Sequence, residues 1–128
     1  MGRPSVGETA ELEVTVSPEM TARLFDREVH PVYGTQWMVR HIEESGRLVV
    51  ERHLALDEDA TGYQIELTHE RPARVGETLT VRARVTDVDD RECVTEHEVV
   101  AADDRLVGRA RFVQRYVLRG ALDPREGP

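Results

Sequence analysis

The spacing of apolar residues changes period along the chain, and each change marks a new element. Glu11–Val16 sets Leu12, Val14 and Val16 against acidic and hydroxyl residues, the alternation of a half-buried strand. Ser17-Pro18-Glu19 offers a helix N-cap, a proline at the first helical position and an acidic first turn. A short helix over 19–26 is therefore expected, carrying Met20, Leu24 and Phe25, with 29–34 irregular around Pro31. From Thr35 or Gln36 to Leu54 the period is 3.6: Met38, Ile42, Ser45, Gly46, Val49 and His53 share one arc, flanked by Val39 and Val50. Arg40, Glu44, Arg47 and Glu51 take the opposite face. Gly46 costs about 1 kcal/mol of helix propensity, and with Ser45 it predicts close approach of the helix to a sheet. After 57–62 the period drops to two, with strands expected over 62–70, 77–88, 92–100 and 106–118. Turns at Pro72–Gly76, Asp89-Asp90 and Asp103-Asp104 separate them. The order describes an α+β domain, one long helix packed across a curved antiparallel β-sheet. Residues 1–122 are read as a single domain and 123–128, rich in Pro and Gly, as a flexible C-terminal tail.

Composition narrows the function classes. A chain of 128 residues that is 39% hydrophobic and 33% charged can bury one core. It has no apolar run long enough to span a bilayer and no signal-peptide core at 1–6, so a cytoplasmic location and no membrane partner are expected. A single cysteine, Cys93, rules out an internal disulfide and a cysteine-based zinc cage. The net charge of −8 argues against nucleic acid as a partner. All 17 basic residues are Arg, a bias that fits a GC-rich genome or a high-salt habitat. Arg also grips phosphate bidentately without losing its charge.

Two ionisable residues sit on apolar faces. Glu43 and Glu44 are separated by about 100° on the helix, which leaves Glu44 among the solvated charges and Glu43 beside Val39 and Val50. Glu43 is either a partly desolvated base or an edge residue whose carboxylate reaches water. His69 shares its strand face with Tyr63, Ile65 and Leu67, as a catalytic imidazole or a satisfied core histidine. His30, His41, His53 and His97 have weaker local patterns. His41 with Glu44 has helical i,i+3 spacing but no second cluster, and Asp87–Asp90 lacks the spacing of a calcium loop, so no metal is expected. There is no GxSxG elbow, P-loop or dinucleotide fingerprint.

Gly34-Thr35-Gln36-Trp37-Met38-Val39-Arg40-His41-Ile42-Glu43, then Gly62…His69 and Pro72…Gly76, resembles the fluoroacetyl-CoA thioesterase family of hot-dog proteins. The family's Thr stands eight residues before a helical Glu, a Gly seven before a His, and another Gly seven after it. All three spacings occur here. The resemblance implies the hot-dog fold and hydrolysis of a small or medium acyl-CoA thioester to the free acid and CoA. It implies Thr35, Glu43 and His69 as catalytic residues, with Gly62 helping to form the oxyanion pocket. Coenzyme A is then part of the substrate and no cofactor is required; a homodimer with sites at the protomer interface is expected. The family's late-strand Arg has three nearby candidates for the CoA phosphates, Arg109, Arg111 and Arg115. The segment 26–33 lacks the family's Phe-rich lid, so the fluorinated substrate does not carry over. Two other readings use the same fold: a non-catalytic acyl-CoA or small-ligand binding module, and an enoyl-CoA hydratase. The hydratase relies on an Asp/His pair near a helix start, and no Asp lies between Asp26 and Asp57.

Overall fold

The computed structural model describes residues 2–123. The expected tail beyond Asp123 lies outside the described residues. Five antiparallel strands form the main sheet in the order β1-β5-β6-β7-β4: β1 is Thr9–Thr15, β4 Glu58–His69, β5 Thr78–Val88, β6 Glu92–Ala101 and β7 Leu106–Leu118. Helix α1, Thr35–Glu51, lies across the sheet. It buries Met38, His41, Ile42, Ser45, Gly46, Val49 and Val50. The opposite face carries the ion pairs Arg40–Glu44 at 3.3 Å and Arg47–Glu51 at 3.8 Å. The helix stops three residues short of the expected Leu54, and β4 begins four residues before the expected Gly62.

The expected helix over 19–26 does not form. One 3-10 turn, Pro18–Met20, uses the Ser-Pro-Glu start, and the chain then extends as β2, Thr21–Leu24, paired with β3, Arg27–Tyr33. Phe25 and Asp26 both have positive φ, 53° and 61°, which closes a two-residue hairpin turn. The base of the hairpin is tied down by Gly34 N–H donating to the Met20 carbonyl and Tyr33 N–H to that of Ala73, both at 2.8 Å. Backbone pairing on both sides overrides a start signal worth only a turn of helix.

The core has two parts. Met38, Ile42, Val81, Val99, Val107 and Phe112 belong to one; Val49, Val50, Ala83, Val85 and Cys93 to the other. Between them the helix closes on β7 at Gly46. A Cβ there would stand 2.9 Å from Cδ2 of Phe112, closer than carbon atoms pack. The close approach expected from Ser45-Gly46 is thus made against one aromatic ring. Gly46→Ala is expected to destabilise the fold by about 1–3 kcal/mol, despite alanine's better helix propensity, because the ring has nowhere to go. Urea unfolding measures it; a variant as stable as wild type would mean that Phe112 can move.

Candidate active site

The start of α1 and the end of β4 meet. Thr35, the first helical residue, has its Oγ1 2.9 Å from Nδ1 of His69, the last residue of β4. With the hydroxyl donating to Nδ1, the ring proton sits on Nε2, which is buried and has no hydrogen-bond partner among the described residues. Burial pulls the pKa of His69 below the ordinary histidine value, while the Arg71 backbone opposes that shift. A neutral imidazole accepting from a hydroxyl is the arrangement that activates an oxygen nucleophile.

The pair rests on an aromatic wall. The Tyr33 ring stands edge-on to His69, 6.2 Å between centroids, and its hydroxyl meets Nδ1 of His41 at 2.5 Å. Burial raises the phenol's pKa and lowers that of the imidazole, so both stay neutral. Tyr33 is 1% exposed and His41 4%. Neither was marked by the sequence pattern: Tyr33 falls in the stretch read as irregular, and His41 off the strongest part of the apolar arc.

Glu43 is exposed and faces Gly62 rather than Thr35 or His69. A Cβ on Gly62 would lie 3.3 Å from Glu43 Oε2 and 3.4 Å from Cε1 and Cζ of Phe112. These three residues, with Ala60 and Gln114, line a cleft of about 680 Å³. Of the two readings open for Glu43, its exposure matches an edge residue whose carboxylate reaches water. Tyr63 also departs from expectation. A bulge between Gly62 and Gln64 turns it off the face of Ile65 and Leu67, and it lies 57% exposed beneath the Arg115 guanidinium, 3.5 Å from the ring centroid.

The four residues thus form two halves, Thr35 with His69 and Glu43 with Gly62. Eight helical residues put Thr35 and Glu43 about 12 Å apart along α1, and seven extended residues put Gly62 and His69 about 23 Å apart along β4. Arg109, Arg111 and Arg115 alternate with Phe112 and Gln114 along β7 and point to the sheet's other face. Arg109 pairs with Glu70 at 2.8 Å, Arg115 with Glu92 at 3.6 Å, and Arg111 lies across from Glu66 and Glu96. Among the described residues no cluster of His, Cys, Asp or Glu is placed to hold a metal, and no helix is long and apolar enough to cross a membrane.

Behind the Glu43–Gly62 half lies a closed polar chain. Thr95 Oγ1 and His97 Nε2 are 2.6 Å apart, His97 Nδ1 and Ser45 Oγ 2.8 Å, and Ser45 donates to the Ile42 carbonyl at 2.9 Å. Each group is satisfied when Thr95 donates to Nε2 and His97 donates from Nδ1 to Ser45. The alternation Cys93, Thr95, His97, Val99 would have placed His97 inside with Thr95; its mid-strand position hid that. Burial pushes its pKa down to about 4, against about 6.5 in an unfolded chain. Protonation then favours the unfolded state below pH 6.5. Stability from this group is full above that pH and falls toward pH 4, by an amount on the order of 3 kcal/mol. Urea unfolding from pH 7 to pH 4 should show the decline, and His97→Leu should make it shallower, leaving the same-sign contributions of His41, His69 and the carboxylates whose pKa values folding lowers, Glu8, Glu58, Asp59, Glu77 and Asp89. An unchanged slope in the variant would refute the assignment.

A family model described as fluoroacetyl-CoA-specific thioesterase matches residues 16–120. A hypothetical protein of Thermus thermophilus, described as a thioesterase superfamily member, is 31% identical with a TM-score of 0.91, over 95% of this chain and 90% of that one. A variant of the fluoroacetyl-CoA-specific thioesterase FlK is 21% identical with a TM-score of 0.84, over 94% of this chain and 93% of that one. A hot-dog-like protein from Thermanaerovibrio acidaminovorans is 16% identical with a TM-score of 0.82, over 94% and 88%. The fold is the hot-dog fold. No curated protein sequence matches the chain.

Proposed function

Since this chain belongs to the fluoroacetyl-CoA-specific thioesterase family and hydrolyses an acyl-CoA thioester, we propose that Thr35, Glu43 and His69 run the reaction on a small or medium acyl group. The observation that carries this reading is the Thr35–His69 hydrogen bond. It pairs a hydroxyl with an imidazole kept neutral by burial, at the mouth of a helix. His69 takes the proton of the attacking hydroxyl, that of Thr35 or of a water Thr35 positions, and returns it to the departing CoA thiolate. Glu43 orients that hydroxyl toward the thioester carbon through its negative charge, and the Gly62 backbone receives the developing oxyanion until the C–S bond breaks. Arg109, Arg111 and Arg115 are the candidates for the CoA phosphates; Arg109, cross-strand from Thr68, stands nearest the Thr35–His69 half. No metal or other cofactor takes part, and the reading places the enzyme in the cytoplasm, where CoA thioesters are made and used.

The two halves, separated on one protomer, favour a shared site. β4 is a 12-residue strand at the edge of the sheet, with one side unpaired by its own chain. Antiparallel pairing of two β4 edges, with the two-fold between Gly62 and His69, brings the Gly62 end of one protomer to the His69 end of its partner. Such a homodimer also covers Glu43, which a single protomer leaves exposed.

Release of free CoA from acyl-CoA thioesters tests both statements. Glu43→Ala and His69→Ala are each expected to lose about 100-fold or more in kcat. Mixing the two variants under subunit exchange should restore about a quarter of wild-type activity, because half the dimers then carry one intact site of two. A mixture as inactive as its components would place the site within one protomer. Variants as fast as wild type would remove these residues from the mechanism. The acid limb of kcat/KM should fall below pH 6.5, since His69 must be neutral to accept the proton.

A further inference from the structure

The Phe112 ring, 3% exposed, stands between the two glycines that the helix and β4 contribute to this region. One edge of the ring, Cε1 and Cζ, lies 3.4 Å from where a Cβ on Gly62 would be. The other, Cδ2 and Cε2, lies 2.9 and 3.1 Å from where one on Gly46 would be. His97 closes the third side, edge to face at 6.1 Å between centroids. Ser45 and Thr95 hold His97 through both ring nitrogens, and Gln114 Nε2 donates to the Gly46 carbonyl at 3.1 Å beside it. Gly46 and His97 thus hold the ring on two sides, and Gly62 with Glu43 stands at the side facing the cleft. The ring cannot swing aside as a flexible side chain would.

We propose that Phe112 is the specificity-determining residue of this thioesterase, the fixed end wall of the acyl slot. The wall restricts the enzyme to short straight acyl groups. The inference rests on the reading that Gly62 and Glu43 meet the thioester. A carbonyl held at the Gly62 backbone stands beside the Phe112 ring, so an acyl chain directed inward from it ends against that ring. A longer chain must displace the ring into Gly46 or His97, where packing leaves no room. The small residue in the middle of α1 thus has a second consequence: by admitting Phe112 at that height, Gly46 sets the depth of the slot.

The test compares wild type, Phe112→Ala and Phe112→Leu on acetyl-, butyryl-, hexanoyl- and octanoyl-CoA. It reads free CoA release, together with calorimetric binding of the non-hydrolysable thioether analogues of the same lengths. Wild-type kcat/KM should fall steeply beyond butyryl. Phe112→Ala should raise the octanoyl-to-acetyl ratio by about tenfold or more, with Phe112→Leu between them. The ratio, rather than the rate, is the signal, since a merely structural loss lowers all lengths together. Circular dichroism checks folding; should Phe112→Ala not fold, Phe112→Leu carries the comparison. Identical length profiles in wild type and variants, or a wild type as fast on octanoyl- as on acetyl-CoA, would overturn the proposal. If no length is hydrolysed, the catalytic reading fails, and the analogues still decide the wall: length-selective binding lost in the variants supports it, and equal binding of all lengths sinks it.

Discussion

The contact between Gly46 of α1 and the Phe112 ring of β7 governs how close helix and sheet come, and much else follows from that distance. A side chain at position 46 would push α1 outward and open the seam between the two halves of the core. With glycine there, the ring fills the seam and its far edge reaches Gly62 on the neighbouring strand. One aromatic side chain therefore joins the helix, the central sheet and the edge strand at a single point. The cleft at Glu43 is closed there.

Close packing at this point also explains the buried polar chain beside it. A histidine under a helix carries two polar nitrogens into a region without water, and leaving either unpaired would cost more than the ring's burial returns. Ser45 and Thr95 satisfy both, and the Ile42 carbonyl takes the last proton. The result is a neutral imidazole built into the core. His69 is the same residue in a different setting: half-buried, with one nitrogen on Thr35 and the other unpartnered. His97 has both nitrogens paired within the core, whereas His69 has one paired and one without a partner among the described residues.

The proposed site follows from the shape of the layer. A single straight helix cannot bring its first residue and its ninth to one reacting bond, and an extended strand separates its ends even further. Both features lie along the same exposed edge, β4, where a second copy of the chain can join the sheet without disturbing its core. The core described above is complete within one chain. On the reading proposed here, catalysis belongs to the pair.

Periodicity in the chain was sufficient for α1, for all five strands of the main sheet in outline, and for the inward direction of Met38, Ile42 and Val49. The spacing of Thr35, Glu43, Gly62 and His69 carried the family resemblance, because these residues lie on elements whose internal geometry is regular. The hairpin at 21–33 was misread because its strands are stabilised by each other and by backbone bonds at the base, not by an apolar stripe; residues 23–31 are all exposed. Tyr63 was misplaced because a bulge shifts the period by one residue without any local signature in the composition. Contacts between distant segments, Thr35 with His69, Tyr33 with His41, Ser45 with His97 and Phe112 with Gly46, were decided only by the tertiary structure. A repeating pattern says which face of an element is apolar, and which residue stands opposite depends on how the layers are set against each other.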